Sequence, residues 1–295
     1  MDFQALKIFK CVAELGSISN AARELTYAQS YISTKIQQLE DELQTTLLYR
    51  HNRGTTLTPK GKILLEYVNN IFHLIDETRK EIRVDQTPKG PLIIGSMETT
   101  AAVRLPCLFL KYNREYPDVD IILKTGPSEQ NIQGVLQYGL DGAFVAGPIE
   151  HPDLIQKGVF EEELVIVTDT AQPTLISLKD IQSRNLLVFN SGCYYRKKLE
   201  QLFHQEGLVP NKIMEFDTIE AIIGCVSAGF GVSMLPQSVI ERQTKDETLR
   251  KHSVPYPYGI VKTKFIYRKE KFMPASLKKF IDMLNIEAEL LGNIS

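Results

Sequence analysis

The sequence predicts three parts in order: a small all-α winged helix-turn-helix domain, a long linker helix, and a larger C-terminal α/β domain. Three observations carry this. Residues Ser19 to Leu43 read as two short helices with a tight break between them. From Pro59 to about Val84 no further proline occurs, and the one glycine is Gly61. Beyond Pro91, short apolar runs alternate with helical patterns, which argues for an α/β fold with mainly parallel sheets.

The first helix is expected over Phe3 to Leu15, with Leu6, Phe9, Val12 and Ala13 inward and Gly16 ending it. Ser17 or Ser19 can cap the next helix. Ala21, Ala22 and Leu25 give that helix an apolar turn, and Ile32, Ile36, Leu39 and Leu43 give the following helix one apolar face. The opposite face begins with Gln29, Ser30, Ser33, Thr34 and Gln37. These are short hydrogen-bonding side chains with almost no charge at the tip. A helix that meets only water usually carries Glu and Lys there, whereas one that enters the DNA major groove needs groups that pair with base edges and phosphates. From Thr45 to Lys62 the chain carries Arg50, Arg53, Lys60 and Lys62 and no carboxylate. Gly54 marks a turn, so this stretch reads as a two-stranded wing whose cations suit phosphate contact.

Pro59 suits the first turn of the long helix. Leu64, Tyr67, Val68, Ile71, Leu74, Ile75, Thr78 and Ile82 recur at steps of three and four, a thin seam of the kind that pairs two helices. Thr87-Pro88-Lys89-Gly90-Pro91 then reads as a hinge. Strands are expected at Leu92–Gly95, Val119–Leu123, Gly142–Ala146, Leu164–Val167, Leu186–Phe189, Val232–Leu235 and Phe265–Tyr267. Helices are expected at Thr99–Tyr112, Glu129–Tyr138 and Leu277–Leu291.

These residues resemble the LysR-type transcriptional regulators. The run Ala21-Ala22-x-x-Leu25 is followed by Gln29-Ser30-x-Ile32-Ser33, Ile36, Leu39-Glu40, Leu47-Leu48-x-Arg50 and Leu57-Thr58-Pro59-x-Gly61. Further on, Tyr116-Pro117-Asp118-Val119, Leu140-Asp141 and Ala228-Gly229-Phe230-Gly231-Val232 through Leu235-Pro236 stand in the order of that family's effector domain. The resemblance implies a winged helix-turn-helix, a long dimerisation helix and a two-lobed effector domain of periplasmic-binding-protein type. It places the domains at 1–58, 59–88 and 89–295, with lobe I at about 89–160 plus 266–295 and lobe II at about 161–265. The chain would cross between lobes near Phe160 and Lys264. Three positions depart from the pattern: Ala28 replaces a hydroxyl residue and so removes a helix cap, Tyr31 replaces a small residue, and Gln44 stands where Gly is usual.

The expected DNA contacts are Ser19, Gln29, Ser30, Tyr31, Ser33, Thr34, Lys35, Arg50, Arg53 and Thr58. Ligands of open α/β sheets bind beyond the carboxyl ends of strands. By resemblance, the effector cleft collects Ser96, Thr99, Thr100, Ser128, Ala146, Gly147, Asn190, Cys193, Tyr194, Arg196, Thr218 and Phe230. Hydroxyls and helix N-terminal amides favour negative charge, so a small anionic or polar metabolite is expected. Glu98 is expected to point out of the cleft, and Arg196 is available to pair with a carboxylate. Cys193 is expected to open a helix, a place that lowers a thiol pKa and admits a redox role.

The bulk numbers agree with this reading. At 295 residues the chain is long enough for about two domains. Its net charge of -2 supplies no global basic field, so positive charge for DNA must be local. Cys11, Cys107, Cys193 and Cys225 form no CxxC pair, and the five histidines make no metal-binding pattern. No metal and no cofactor are expected. Gly229-Phe230-Gly231 precedes a strand and lacks a third glycine, so it is not a dinucleotide loop. No nucleophile stands beside a base, so an enzyme is not expected. A binding protein or enzyme with a fused DNA-binding module is the competing class. The N-terminus lacks a signal-peptide core and no run approaches a membrane span, so the expected setting is the cytoplasm, with double-stranded DNA, a small effector and a homodimer or homotetramer as partners.

Overall fold

The computed structural model describes residues 1–51, 54–82, 87–175, 177–243, 248–269 and 273–292. The chain forms two compact units, Met1–Val84 and Asp85–Ser295.

The first unit comprises helices α1 (Phe3–Leu15), α2 (Ile18–Glu24) and α3 (Gln29–Glu42), strands β1 (Leu48–His51) and β2 (Gly54–Leu57), and helix α4 (Pro59–Ile82). Asp2 caps α1 by accepting the Ala5 N–H at 2.6 Å, and Ser17 caps α2 by accepting that of Asn20. The α3 start has no side-chain cap because Ala28 occupies the position. The apolar faces of α1, α2 and α3 meet in one core around Phe9, Val12, Ala21, Ile32 and Ile36. Leu64, Leu65, Val68, Ile71 and Phe72 of α4 pack on that same core. The α4 helix is therefore partly a wall of this unit, and Val68 from the expected pairing seam is fully buried in it.

The wing is an antiparallel pair with Leu48 opposite Leu57 and His51 opposite Gly54. Thr55 donates its N–H to the Gly16 carbonyl at 2.8 Å, which ties the wing to the α1–α2 turn. Gly54 has a φ of 139°, and a Cβ there would lie 2.4 Å from the Gly16 oxygen. Only glycine permits that approach.

The second unit contains β3 (Gly90–Ser96), α5 (Glu98–Val103), α6 (Leu105–Glu115), β4 (Val119–Thr125), α7 (Ser128–Leu136), β5 (Gly142–Ala146) and β6 (Leu154–Asp169). After a 3-10 turn at Leu178–Ile181 come β7 (Asn185–Phe189), α8 (Tyr194–Gln205), β8 (Lys212–Phe216), α9 (Ile219–Ser227), β9 (Ser233–Pro236), α10 (Gln237–Gln243), β10 (Leu249–Ser253), β11 (Ile260–Arg268) and α11 (Ala275–Gly292).

The sheet is mixed, contrary to the mainly parallel one expected. Strands β3, β4 and β5 are mutually parallel, as are β7 and β8. The long strands β6 and β11 run antiparallel to each other, and β6 continues to pair β9 and β10. The expected strand at Leu164–Val167 is thus the last part of a 16-residue strand. The β6–β11 register shifts between Thr263 and Lys264, opposite Phe160 and Gly158. Cores lie on both sides of this shift. One, around Tyr112, Phe144, Phe265 and Phe280, packs α6 and α11 on the β3–β5 side. Others, around Leu164, Leu186, Tyr195, Val226 and Leu235, pack α8 and α9 on the β7–β9 side. Two lobes result, joined by continuous strands. The expected helix Thr99–Tyr112 is instead two helices broken at Arg104, with Pro106 in the first turn of the second. Gly90 and Pro91 of the expected hinge belong to β3, where β4 is the sole described neighbour.

Candidate functional site

On the first unit, α3 buries Ile32, Ile36 and Leu39 and turns Gln29, Ser30, Tyr31 and Thr34 outward, with Ser33 half-buried. The Ser19 hydroxyl donates to Gln29 Oε1 at 3.1 Å, joining α2 to the start of α3. Thr34 donates back to the Ser30 carbonyl. Tyr31 packs on Tyr27 with ring centroids 5.1 Å apart, and Gln4 donates to the Tyr27 hydroxyl. The aromatic ring that replaces a small residue is thus held against the helix entry. The result is an uncharged hydrogen-bonding surface at the start of α3.

Two expected contacts have other work in the fold. Thr58 is buried: its hydroxyl donates to the Thr46 carbonyl and accepts the Gly61 N–H at 2.9 Å, which makes it the cap of α4. Lys35 pairs with Asp2 at 3.1 Å, a bond that raises its pKa, so its charge is already matched within the protein. Arg50 is half-exposed on β1 and lies 3.9 Å from Glu40 Oε2. Glu40 is itself buried and accepts the N–H groups of Leu47 and Leu48 at 2.7 and 3.2 Å, fixing the start of the wing to α3. Arg53 lies outside the described residues.

On the second unit, a cavity of about 250 Å³ opens between the lobes. From the β3–β5 side it is lined by Met97, Glu98, Thr99, Thr125, Gly126, Pro127, Ser128 and Gln130. From the β7–β8 side come Phe189, Asn190, Cys193, Tyr194, Tyr195, Phe216 and Asp217. The topology explains the convergence: these residues stand at or just past the carboxyl ends of β3, β4, β7 and β8, where the helices α5, α7, α8 and α9 begin. Among the described residues, two hydrogen bonds join residues of this lining across the lobes or to the α9 start. Thr99 and the Tyr195 hydroxyl are 3.0 Å apart, and Glu98 Oε1 accepts the Ile219 N–H at 3.0 Å.

Of the expected effector residues, Thr99, Ser128, Asn190, Cys193 and Tyr194 line this cavity. The others do not. Ser96 is fully buried and donates to the Met97 carbonyl. Thr100 is buried behind the cleft, and its hydroxyl finds no partner among the described residues. Ala146 donates its N–H to Ser128 Oγ, and Gly147 lets the Tyr194 ring approach to where a Cβ would be 2.8 Å away. Both support the lining from behind. Thr218 caps α9 through the Ala221 N–H. Arg196 is paired with Glu200 and Glu215, at 2.8 and 2.7 Å, and is not in the lining. Phe230 is exposed, with its carbonyl held by Asn185, and stands outside the lining.

The electrostatics also differ from expectation. Glu98 points into the cleft, because the α9 N–H offers it a partner there. Burial raises its carboxyl pKa, the Ile219 N–H opposes that rise, and Glu220 and Asp217 add to it. Asp217 faces the same space and is bonded to the Asn190 amide. The anticipated anion site is therefore a cleft with two carboxylates and no cation in its described lining. Cys193 stands at the N-cap position of α8 without a side-chain cap bond, and burial pushes its thiol pKa up rather than down.

The bacterial regulatory helix-turn-helix family of lysR type matches residues 3–62, and the LysR substrate binding domain matches residues 85–288. The chain belongs to the LysR family of transcriptional regulators. It is 52% identical over 281 residues to the HTH-type transcriptional regulator GltR of Bacillus subtilis (strain 168), covering 95% of each chain. It is 43% identical to the regulator CzcR of Bacillus thuringiensis subsp. konkukian, covering 95% of this chain and 96% of that one. Among solved structures, full-length CbnR complexed with its target DNA is similar at a TM-score of 0.68 and 25% identity, covering 98% and 100% of the two chains. A full-length OxyR variant from Pseudomonas aeruginosa shares the fold at a TM-score of 0.72 and 19% identity, covering 98% and 95%.

This LysR regulator is thus a DNA-binding protein with an effector-binding domain, and its family is not one of enzymes. No described helix is long and apolar enough to cross a membrane. Residues missed from sequence include Gln130, Phe216 and Asp217, and Glu98 was expected to point out. Glu98 and Ile219 are 121 positions apart, so no local spacing reveals the pair. Position was the signal present for Gln130, which follows an expected strand, whereas Phe216 and Asp217 stand at the end of β8, a strand not among those expected.

Proposed function

We propose that this regulator works in the cytoplasm as a homodimer or homotetramer on double-stranded DNA. The α3 face of Gln29, Ser30, Tyr31, Ser33 and Thr34 meets base edges and phosphates, with Ser19 behind Gln29. Arg50, and Arg53 beyond it, supply phosphate contacts from the wing. The observation that carries this is the uncharged, outward hydrogen-bonding face at the start of α3, in a unit whose wing exposes Arg50. Ile63, Tyr67 and Leu74 stand exposed along α4 and supply the pairing surface between copies.

The interlobe cleft takes a small polar effector. Binding there re-sets the Glu98–Ile219 and Thr99–Tyr195 contacts and changes how the oligomer holds or bends its operator. The test is selection of binding duplexes from a random-sequence pool by the full-length chain, followed by salt titration. The expected outcome is an enriched motif whose affinity falls steeply and linearly with salt on logarithmic axes. Binding without enrichment of any sequence would reduce the α3 face to a non-specific surface.

A further inference from the structure

The cleft carries side-chain charge of one sign. Glu98 and Asp217 face it from opposite lobes, and its described lining holds no Lys, Arg or His. Of the helix ends that open on it, that of α9 is engaged from within the protein, and those of α5 and α7 carry Glu98 and Glu129 in their first turns. At α9, Thr218 accepts the Ala221 N–H and Glu98 accepts that of Ile219. At α8, Cys193 occupies the N-cap position without a side-chain cap hydrogen bond. At α7, Pro127 at the N-cap offers no side-chain bond, and Glu129 adds a negative charge in the first turn. Lys198 approaches the Tyr194 ring to 5.8 Å, but its ammonium is held by the carbonyls of Pro257, Tyr258 and Ile260 and does not line the cavity. An anion entering here would meet two carboxylates that repel it.

A cation meets the opposite situation. The rings of Phe189, Tyr194, Tyr195 and Phe216 line the same space as the two carboxylates. Carboxylates give charge-assisted hydrogen bonds to an ammonium, and ring faces attract cations while accepting apolar bodies. Taking the cleft as the effector site, as proposed above, we infer that the effector is a small molecule bearing a protonated amine. Glu98 and Asp217 hold the ammonium, and the aromatic rings hold the apolar remainder. The cavity of about 250 Å³ suits a compact molecule. An ammonium beside Glu98 also favours the ionised carboxylate, opposing the burial that raises its pKa.

The test uses the full-length protein and matched triplets that differ mainly in charge: benzylamine, benzyl alcohol and benzoate, then butylamine, butanol and butyrate. Calorimetry gives affinity, and hydrogen exchange gives location. Within each triplet the amine should bind at least tenfold tighter than the alcohol, with the carboxylate weakest, and should protect the segments around residues 97–99 and 216–219. Glu98→Gln and Asp217→Asn should each cut the ratio of amine to alcohol affinity about tenfold or more. Asp217 is exposed, so its variant tests the charge even if Glu98→Gln loosens the lobes. Tighter binding of alcohol or carboxylate, with protection of those same segments, would overturn the amine assignment and leave the cleft as the effector site. Failure of all six compounds to protect those segments at saturating concentration would overturn the inference and count against the cleft itself.

Discussion

Glu98 on α5 accepts the backbone N–H of Ile219, the first residue of α9, at 3.0 Å. The two residues belong to opposite lobes, so a side chain on one side satisfies a helix-end donor on the other. Glu98→Ala deletes that acceptor. The expected cost is about 0.5–1.5 kcal/mol, with faster amide exchange at Ile219 and Glu220. Unchanged protection at Ile219 would mean that the contact does not join the lobes in solution.

Glu40 does the equivalent work in the first unit. Its buried carboxylate takes the Leu47 and Leu48 amides, so β1 starts from a fixed point on α3. Glu40→Ala leaves two buried N–H groups without acceptors, at about 1–3 kcal/mol each. Exchange at Leu47 and Leu48 should accelerate and DNA affinity should fall, because the wing loses its anchor. Wild-type protection of both amides would contradict this.

The two sides of α4 should respond differently to charge. Val68 is 0% exposed in the core of the first unit, whereas Tyr67 is 63% and Leu74 58% exposed. Val68→Asp should unfold the unit, since an unpaired buried charge costs several kcal/mol. Tyr67→Asp and Leu74→Asp should leave folding nearly unchanged and yield monomers by sedimentation. Wild-type oligomers from both surface variants would place the pairing surface elsewhere.

His252 sets a pH dependence. Its ring is buried, with Nδ1 accepting the Leu175 N–H and Nε2 2.9 Å from the Thr168 hydroxyl. Burial, then Arg250, lowers its pKa, so the native state holds the neutral ring. Stability from this group is complete above the unfolded pKa of about 6.5 and is lost as pH falls below it, by at most about 1.4 kcal/mol per pH unit. Unfolding midpoints of wild type and His252→Gln should converge between about pH 7.5 and about 5.5. A constant gap would show that His252 is not the titrating group.

Much of the fold was legible because its signals are local. The apolar face of α3, the uncapped start at Ala28 and the strand run Gly142–Ala146 all follow from short patterns. Gln44, where the family usually has Gly, is held at a φ of 47°, so the departure from pattern marks a backbone position that favours glycine. Strand β6 was half hidden, because Glu161, Glu162 and Glu163 interrupt its apolar run. They become strand residues by pairing with Ile260, Val261 and Lys262, far along the chain. The site was least legible for the same reason. Strand ends gave the neighbourhood, but only the folded lobes show that Glu98 turns inward and that Arg196 is taken by Glu200 and Glu215.

The most direct test of the central claim, that α3 reads DNA sequence, compares motifs selected from a random duplex pool by wild type, by Gln29→Ala with Ser33→Ala, and by Arg50→Ala. The α3 double variant should enrich a relaxed motif, with about 1–3 kcal/mol of discrimination lost per bidentate contact removed. Arg50→Ala should enrich the wild-type motif with weaker binding and a salt slope shallower by about one unit. An unchanged motif from the α3 double variant would contradict the assignment of sequence reading to this helix.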